Sequence, residues 1–333
     1  MAGLFNSGRP GHCLKIGADT LVWGESSRTW RGGRRYRCLL SPTPAGAVKL
    51  SPIDPNVLNR AALEERLCAL TGPARHSRIA ERGLQAELPR SITLLLSDLS
   101  VRASILQLEQ FPSNQDEQEA LIRWRLNQEQ RLPMSGAKIS WQVFSSKKPG
   151  QGFYTVLVLA VQDSILKQYE SVCESVGLLP QKVSVSSFRL FDLWLRVAGG
   201  RRRLEKDLIW ITVSDGGLTC LMIHQGHPVF VRTKLLTTDT MQPDDGRTRE
   251  WVGKIVHETG ISLLACQERY PAIRIRDLVL VSDCEMSGLE EALGNEFGIV
   301  TEQLDWNQAA SFGWMHQGSS TATAALPALA GLL

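Results

Sequence analysis

Residues 92–144 read ITLLLSDLSVRASILQLEQFPSNQDEQEALIRWRLNQEQRLPMSGAKISWQVF, and the order of elements in this segment decides the fold. It opens with two short apolar runs, which have the length and composition of strands. A helical pattern follows, at whose start Ser113 and Asp116 can form a capping box, and Pro133 ends that pattern. The alternating run 139–145 predicts a further strand. The segment therefore predicts a small unit of mixed α/β structure.

Two segments outside this unit share a layout of three strands joined by tight turns. The first covers residues 13–40 and the second residues 207–236. Their first turns read GADT and SDGG, and Gly and Asp favour the left-handed backbone that such turns require. A layout repeated so far apart in the chain predicts two related lobes. The nearly all-apolar run 277–283 predicts a strand that is covered on both faces.

The composition is that of an ordinary globular protein, with 43% hydrophobic and 21% charged residues in a chain of 333. This length favours two domains. The net charge of +3 argues against a dedicated nucleic-acid-binding protein, which concentrates basic charge on one surface. No apolar run is long enough for a membrane-spanning helix, and the first residues lack a signal-peptide pattern, so we expect a cytoplasmic protein. The seven cysteines form no C-x-x-C pair, so we expect reduced thiols and no zinc site.

Residues 92–144 resemble the corresponding passage of the PilM family, the actin-like assembly proteins of type IV pili. In that family a strand and a D-x-x-V-R turn precede a helix with an I-R-W-x-L core, a proline-containing loop and a Y/W-Q-V strand. The matching residues here are Asp98, Val101, Arg102, Ile122, Arg123, Trp124, Leu126, Pro133, Trp141, Gln142 and Val143. The resemblance continues through residues 156–185 and 278–304 and covers nearly the whole chain, with residues 1–90 matching least.

The resemblance implies an α/β protein with a two-lobed actin-like (ribonuclease H-like) fold and a subdomain inserted into the first lobe. The first lobe would comprise residues 1–107, 181–200 and 313–333. The inserted subdomain would be residues 108–180, and the second lobe residues 201–312. A nucleotide cleft lies between the two lobes in this fold.

The resemblance also implies three nucleotide-binding motifs, each of which has lost residues that nucleotide chemistry requires. In actin-like ATPases two hairpins carry Asp-x-Gly, whose glycine admits phosphate and whose aspartate organises magnesium. Here Lys15 replaces the aspartate before Gly17, and Ser214 replaces it in the second hairpin. Strand alternation predicts that Asp215 points to the other face, and Asp283 stands where the third motif has a glycine pair. The degenerate nucleotide-site residues are Lys15, Gly17, Ser214, Asp215, Gly216, Thr219, Ser282 and Asp283.

These losses predict a protein without ATP hydrolysis and without a bound cofactor or metal, in which the SDGG segment is a hairpin turn. His224 and His227 flank a turn, but two histidines without a third ligand nearby do not indicate a metal site. Two alternatives remain open. Lys15 could neutralise phosphate directly and so permit weak nucleotide binding. Alternatively, the chain is an actin-like or sugar-kinase-like ATPase whose metal ligands have moved.

The resemblance implies a scaffold of the type IV pilus, or of the related type II secretion machine, at the cytoplasmic face of the inner membrane. In the PilM family a groove between the first lobe and the inserted subdomain captures the N-terminal peptide of the inner-membrane protein PilN. We therefore expect a PilN-like peptide bound in extended form, further pilus platform proteins as partners, no nucleic acid, and membrane association through the partner. We expect groove walls in residues 92–109 and 153–161, Trp124 in the core, and Arg125 facing a partner.

Two arginine clusters stand apart from these motifs. They are Arg28, Arg31, Arg34, Arg35 and Arg37, and the triplet Arg201, Arg202 and Arg203. One interpretation is a solvated loop or strand. The other is contact with an acidic partner or with anionic lipid head groups at the cytoplasmic membrane face. The residues alone leave both open.

Overall fold

The structure is a computed structural model that describes residues 10–28, 34–72, 89–129, 135–145, 154–197, 204–236, 245–305 and 322–332. Four predicted features lie outside the described residues, namely Arg31, Pro133, the triplet 201–203 and the predicted domain boundaries at 200 and 312. The strands are β1 (His12–Ile16), β2 (Thr20–Arg28), β3 (Arg34–Pro42), β4 (Arg90–Leu96), β5 (Arg102–Leu108), β6 (Ala137–Ser145), β7 (Tyr154–Gln162), β8 (Leu178–Val185), β9 (Leu208–Ser214), β10 (Gly217–His224), β11 (His227–Leu235), β12 (Asp277–Ser282) and β13 (Val300–Gln303).

The helices are α1 (Arg60–Thr71), α2 (Gln115–Glu129), α3 (Asp163–Ser175), α4 (Ser186–Val197), α5 (Asp245–Arg269), α6 (Leu289–Phe297) and α7 (Leu326–Leu332). Two short 3-10 helices cover Asp98–Ser100 and Ala322–Ala325. None of these described helices combines the length and the apolar character that crossing a bilayer requires.

Two five-stranded sheets repeat one topology. The first has the strand order β3-β2-β1-β4-β8 and the second the order β11-β10-β9-β12-β13. In each sheet three consecutive strands pair antiparallel, and two later strands then add in parallel. β12 is buried along Leu278–Ser282, as predicted for a strand covered on both faces. The predicted pair of meanders is confirmed, and the fold is the expected α/β arrangement of two related lobes.

A third sheet, with the strand order β5-β7-β6, forms the inserted subdomain together with α2. The predicted boundaries of this subdomain are 108 and 180, but its sheet already begins at Arg102 because the whole of β5 pairs with β7. Its end also lies earlier than predicted. α3 buries Ile165 and Tyr169 in the core of the first lobe, and β8 pairs with β4 of the first sheet.

Helix α2 departs from the prediction at both its start and its exposed side. Asn114, rather than the predicted Ser113, accepts a hydrogen bond of 2.8 Å from the backbone N–H of Asp116. Trp124 is 52% exposed, so its predicted place in the core is wrong. The buried side of the helix contains Ile122, and Trp124 lies two residues further on, about 200° around the helix axis.

The two lobes share a core built around α4 and α7. Trp194 of α4 lies 5.8 Å, between ring centroids, from Trp210 of β9. The rings of Phe191 of α4 and Trp210 form a T-shaped pair, with 5.3 Å between their centroids. α7 is buried along its whole length and packs against β1 and β2. Because α4 belongs to the first lobe and β9 to the second, this core holds the lobes together beneath the cleft.

Candidate functional site: the cleft between the lobes

The turn between β9 and β10 brings Asp215 into the cleft. Ser214 pairs with Gly217, so the two central residues are Asp215 and Gly216, with φ angles of 55° and 74°. Positive φ at both positions is typical of the type I′ hairpin turn, where Gly fits freely and Asp is tolerated. The prediction that Asp215 points to the other face is wrong, because strand alternation does not extend into a left-handed turn.

Lys15 on β1 joins the first lobe to this turn. Its Nζ lies 3.1 Å from Oδ2 of Asp215 and donates a hydrogen bond of 2.8 Å to Oγ of Ser214. The side chains of Lys15 and Asp215 are only 2% and 3% exposed. Burial acts to lower the pKa of Lys15, but the carboxylates of Asp215 and Asp283 outweigh it, and the pKa is raised. The lysine therefore stays charged and forms a buried ion pair between the lobes.

Gly17 allows the first hairpin to approach the second closely. A Cβ atom at this position would collide with Oδ1 of Asp215 and would lie 2.9 Å from the carbonyl oxygen of Thr20. The carbonyl oxygen of Gly17 also accepts a hydrogen bond of 2.9 Å from Oγ1 of Thr43. The glycine that would face phosphate in an actin-like ATPase here faces the carboxylate of the opposite lobe.

Asp283, which follows β12, completes the contacts on the side of the second lobe. Its Oδ2 accepts a hydrogen bond of 2.9 Å from the backbone N–H of Asp215. Burial raises the pKa of Asp283, Lys15 opposes this shift and Asp215 adds to it, so that the pKa is raised overall. The carboxyl group of Asp283 therefore holds the β9–β10 turn in place through the backbone N–H of Asp215.

The remaining predicted residues, Ser282 and Thr219, form their side-chain hydrogen bonds inside the second lobe. Oγ of Ser282 donates to the carbonyl oxygen of Cys284 at 2.7 Å. Oγ1 of Thr219 lies 3.1 Å from Oγ1 of Thr233 on β11. The structure thus brings together six of the predicted positions, which are Lys15, Gly17, Ser214, Asp215, Gly216 and Asp283.

Two carboxylates at the cleft are not among the predicted site residues. Asp98 follows β4 and accepts hydrogen bonds from the hydroxyl and, at 3.3 Å, the backbone N–H of Ser187 at the start of α4. Burial raises the pKa of Asp98 to about 6, although the bonds from Ser187 oppose this. Asp19 lies in the GADT turn, where burial and the charges of Asp215 and Asp283 raise its pKa. Asp98 follows the carboxyl end of a parallel strand, which is a sequence signal that could have found it.

Among the residues that the structure describes, the cleft therefore holds one ammonium group and four carboxyl groups, those of Asp19, Asp98, Asp215 and Asp283. Within the described ranges, no group of three or more His, Cys, Asp or Glu residues has the arrangement of a metal site. His224, one of the two histidines considered in the sequence, places Nδ1 2.7 Å from Oδ1 of Asp207.

A cavity of about 320 Å³ lies between the inserted subdomain, α4 and the second lobe. Aromatic and aliphatic side chains from all three units line it, among them Trp141, Phe144, Phe188, Phe191, Leu195, Leu221, Ile223 and Pro228. Of the two predicted groove walls, 153–161 contributes Leu157 and Leu159, whereas no described residue of 92–109 lines the cavity. The reason is that β5 and β6 are opposite edges of the three-stranded sheet, and β6 is the edge next to the cavity.

Arg125 lies on a surface apart from this cavity. Its guanidinium carbon is 5.3 Å from the ring centroid of Trp124. Its Nε is buried, and no described residue hydrogen-bonds to it. Neither residue lines the cavity, so the contact of Arg125 with a partner stays a prediction that concerns the exposed side of α2.

No family model matches the sequence, and no curated protein sequence matches it either. Solved structures do share the fold. A chain of the PilM-PilN type IV pilus biogenesis complex is 17% identical over 98% of each chain, with a TM-score of 0.70. A protein of unknown function with an actin-like ATPase fold from Bacteroides thetaiotaomicron is 11% identical over 93% of this chain and 99% of that one (TM-score 0.45).

The cytoplasmic domain of EpsL, an inner membrane component of the type II secretion system of Vibrio cholerae, is 10% identical over 96% of this chain and 94% of that one (TM-score 0.43). The repeated five-stranded topology and the full-length superposition on the chain of the pilus complex agree. The described residues therefore have the fold of the matched chain of the pilus complex, which is the two-lobed fold expected from the sequence.

Proposed function

We propose that this protein is a scaffold of an inner-membrane assembly platform, of the type IV pilus or the related type II secretion system. In this role it holds an extended N-terminal peptide of a PilN-like membrane protein and does not hydrolyse ATP. The observation that carries the proposal is the cavity beside β6, whose lining includes several aromatic side chains, on a fold that superposes on a chain of the PilM-PilN complex. The protein would lie at the cytoplasmic face of the inner membrane, where its membrane partner holds it.

The cavity has the two features that an extended peptide requires. β6 is an edge strand, so one row of its backbone N–H and C=O groups can pair with an added strand. Trp141 and Phe144 on β6, with Phe191 on α4, supply apolar surface for alternate side chains of such a peptide. Peptide capture at this place would use both the inserted subdomain and the first lobe, as the resemblance implies.

The cleft chemistry supports a role without nucleotide hydrolysis. Lys15 and Ser214 stand at the two aspartate positions of the actin-like motifs, and Lys15 binds both Ser214 and Asp215. A triphosphate entering there would have to break this buried ion pair. It would also meet the negative charge of Asp283 and Asp98, which repels a polyanion at short range.

A calorimetric titration tests peptide capture. The probe is a synthetic peptide with the N-terminal cytoplasmic sequence of the PilN from the solved PilM-PilN complex. Replacing Phe144→Ser should weaken binding roughly 10- to 100-fold, because the lost burial of a Phe side chain amounts to about 1.5–3 kcal/mol. The matched control is Val143→Ser on the same strand, since Val143 is exposed and does not line the cavity. Equal affinities of the two variants would refute the assignment of this cavity.

A further inference from the structure

The end of the β2–β3 hairpin carries four exposed arginines, Arg28, Arg34, Arg35 and Arg37. In the antiparallel register Arg28 lies directly opposite Arg34, and Arg35 lies opposite Ser27. We call these four residues the arginine end of the hairpin. Like charges directly opposite each other destabilise a strand pair. Folding alone therefore does not favour this placement of Arg28 and Arg34.

Little negative charge compensates the arginine end. Arg37 lies 3.9 Å from Oε2 of Glu25, a long contact between partly exposed groups. Among the residues that the structure describes, no carboxylate pairs with Arg28, Arg34 or Arg35. Three guanidinium groups thus remain available to an anionic partner.

The arginines project from both faces of the hairpin. Arg28 and Arg34 share the face of Tyr36, which packs towards α4 and α7, because alternate residues of a strand share a face. Arg35 and Arg37 occupy the other face. An acidic protein patch would meet one face of a hairpin, and a bound small anion would require a concave site. Charge on both faces of a projecting end suits an extended anionic plane met end-on.

We propose that the arginine end of the β2–β3 hairpin binds the anionic lipid head groups of a membrane surface directly. The inference rests on the proposed function only in taking the inner membrane as the surface at hand. The arginine end lies at the opposite end of the first sheet from the cleft, since Thr20 and Pro42 form the cleft end of the same hairpin. It uses no residue of the peptide cavity, so the two proposals can fail separately.

Co-sedimentation of the purified full chain with vesicles tests the inference without any protein partner. The probes are vesicles of phosphatidylglycerol mixed with phosphatidylethanolamine, and vesicles of phosphatidylcholine as the uncharged comparison. The chain should sediment with the first and not with the second, and added salt should release it. Each arginine near an anionic surface strengthens binding about fivefold, so the triple variant Arg28→Gln, Arg34→Gln and Arg35→Gln should bind on the order of a hundredfold more weakly.

The matched control removes the same charge elsewhere, by Lys49→Gln, Arg66→Gln and Arg249→Gln at exposed positions. This variant should stay within a few-fold of the unaltered chain. Equal losses in both triple variants, or no binding by the unaltered chain, would overturn the inference. Polyglutamate serves as a second probe, which stands for an acidic protein. If the triple arginine variant still binds the anionic vesicles but no longer binds polyglutamate, the inference is overturned in favour of an acidic protein partner. If the triple arginine variant still binds the anionic vesicles but self-associates in gel filtration, the inference is also overturned, because the arginines then protect the exposed edge of β3.

Discussion

Lys15 is the residue on which the cleft depends most. Its ammonium group forms an ion pair with Asp215 of the second lobe and interacts electrostatically with Asp283. In Lys15→Met these carboxylates would lie buried without a balancing positive charge, so the free energy of unfolding should fall by about 3–5 kcal/mol. Urea denaturation measures this loss.

A double variant separates the loss of an ion pair from the loss of packing. Lys15→Met combined with Asp215→Asn removes both charges, and Asn tolerates the left-handed backbone of the turn. Most of the stability should return, because replacing both partners of a buried pair is often nearly neutral. A double variant as unstable as Lys15→Met alone would contradict the role assigned to the pair.

Asp98 predicts a specific dependence of stability on pH. Its pKa is about 6 in the folded protein, chiefly because of burial, and about 3.9 in an unfolded chain. The folded state therefore binds the proton more tightly. The resulting stabilisation is complete below about pH 4 and is lost as the pH rises through about 6, with a total of about 3 kcal/mol at most. Thermal denaturation across this range should show the loss.

The variant Asp98→Asn should remove this part of the pH dependence, since an amide can still bond to the hydroxyl and N–H of Ser187. Glu65→Gln, at an exposed position on α1, serves as the control and should keep the profile of the unaltered chain. If Asp98→Asn follows that profile too, another group titrates.

At this scale the sequence predicted which residues meet in the cleft better than it predicted what they do there. The places of Lys15 on β1 and of Gly17 in the turn before β2 could be predicted, because the sequence shows a strand, a tight turn and a second strand there. The orientation of Asp215 could not, because it depends on two positive φ angles that strand alternation ignores. Asp98 belongs to the D-x-x-V-R motif, but its burial against Ser187 arises only when α4 packs on the first sheet.

Among the elements, helix α7 docks on the first sheet through a contact that leaves no room for a larger residue. A Cβ atom at Gly331 would collide with Sγ of Cys13 on β1. Gly331→Ala should therefore lower the free energy of unfolding by about 1–3 kcal/mol. Adding Cys13→Ala should recover part of this loss, and the two effects should not be additive, because the residues are in contact.

Gly253 provides the matched control for a glycine within a helix. It lies on α5, and a Cβ atom there would meet nothing within 4 Å. Gly253→Ala should stabilise the protein by about 0.5–1 kcal/mol, since alanine favours the helix. Urea denaturation measures the free energy of unfolding of all these variants. If Gly331→Ala is as stable as the unaltered chain, α7 can shift to make room for the added methyl group.

The strands of the two meanders could be predicted from their patterns, whereas two helices, α1 and α4, could not. The strands of both meanders alternate or end at Gly-containing turns, and the meanders begin and end within two residues of the predicted 13–40 and 207–236. α1 was missed because it buries only Leu63, Leu67 and Thr71 and is otherwise polar. α4 was missed although Leu190, Leu193 and Trp194 repeat at helical spacing, a signal that the sequence does contain. The exposure of Trp124 depends on which side of α2 the three-stranded sheet covers.

For the whole molecule, the cleft predicts that magnesium and ATP leave thermal stability unchanged. A ligand present at a hundred times its dissociation constant would stabilise the folded state by about 2.7 kcal/mol, enough to raise the melting temperature by several degrees. We expect no such rise, because the ion pair of Lys15 and Asp215 already joins the lobes. A rise of several degrees together with phosphate release would instead favour the alternative of a working ATPase with displaced ligands.

The mutual dependence of Lys15 and Asp215 bears on how such a chain can diverge. Changing either residue alone leaves a buried charge uncompensated, and natural selection for a folded protein acts against that intermediate. An acidic residue at position 15 would stand among four other carboxyl groups, with no cation to balance them. A change at either position therefore has to be matched at the other, whereas residues on the surface can change one at a time.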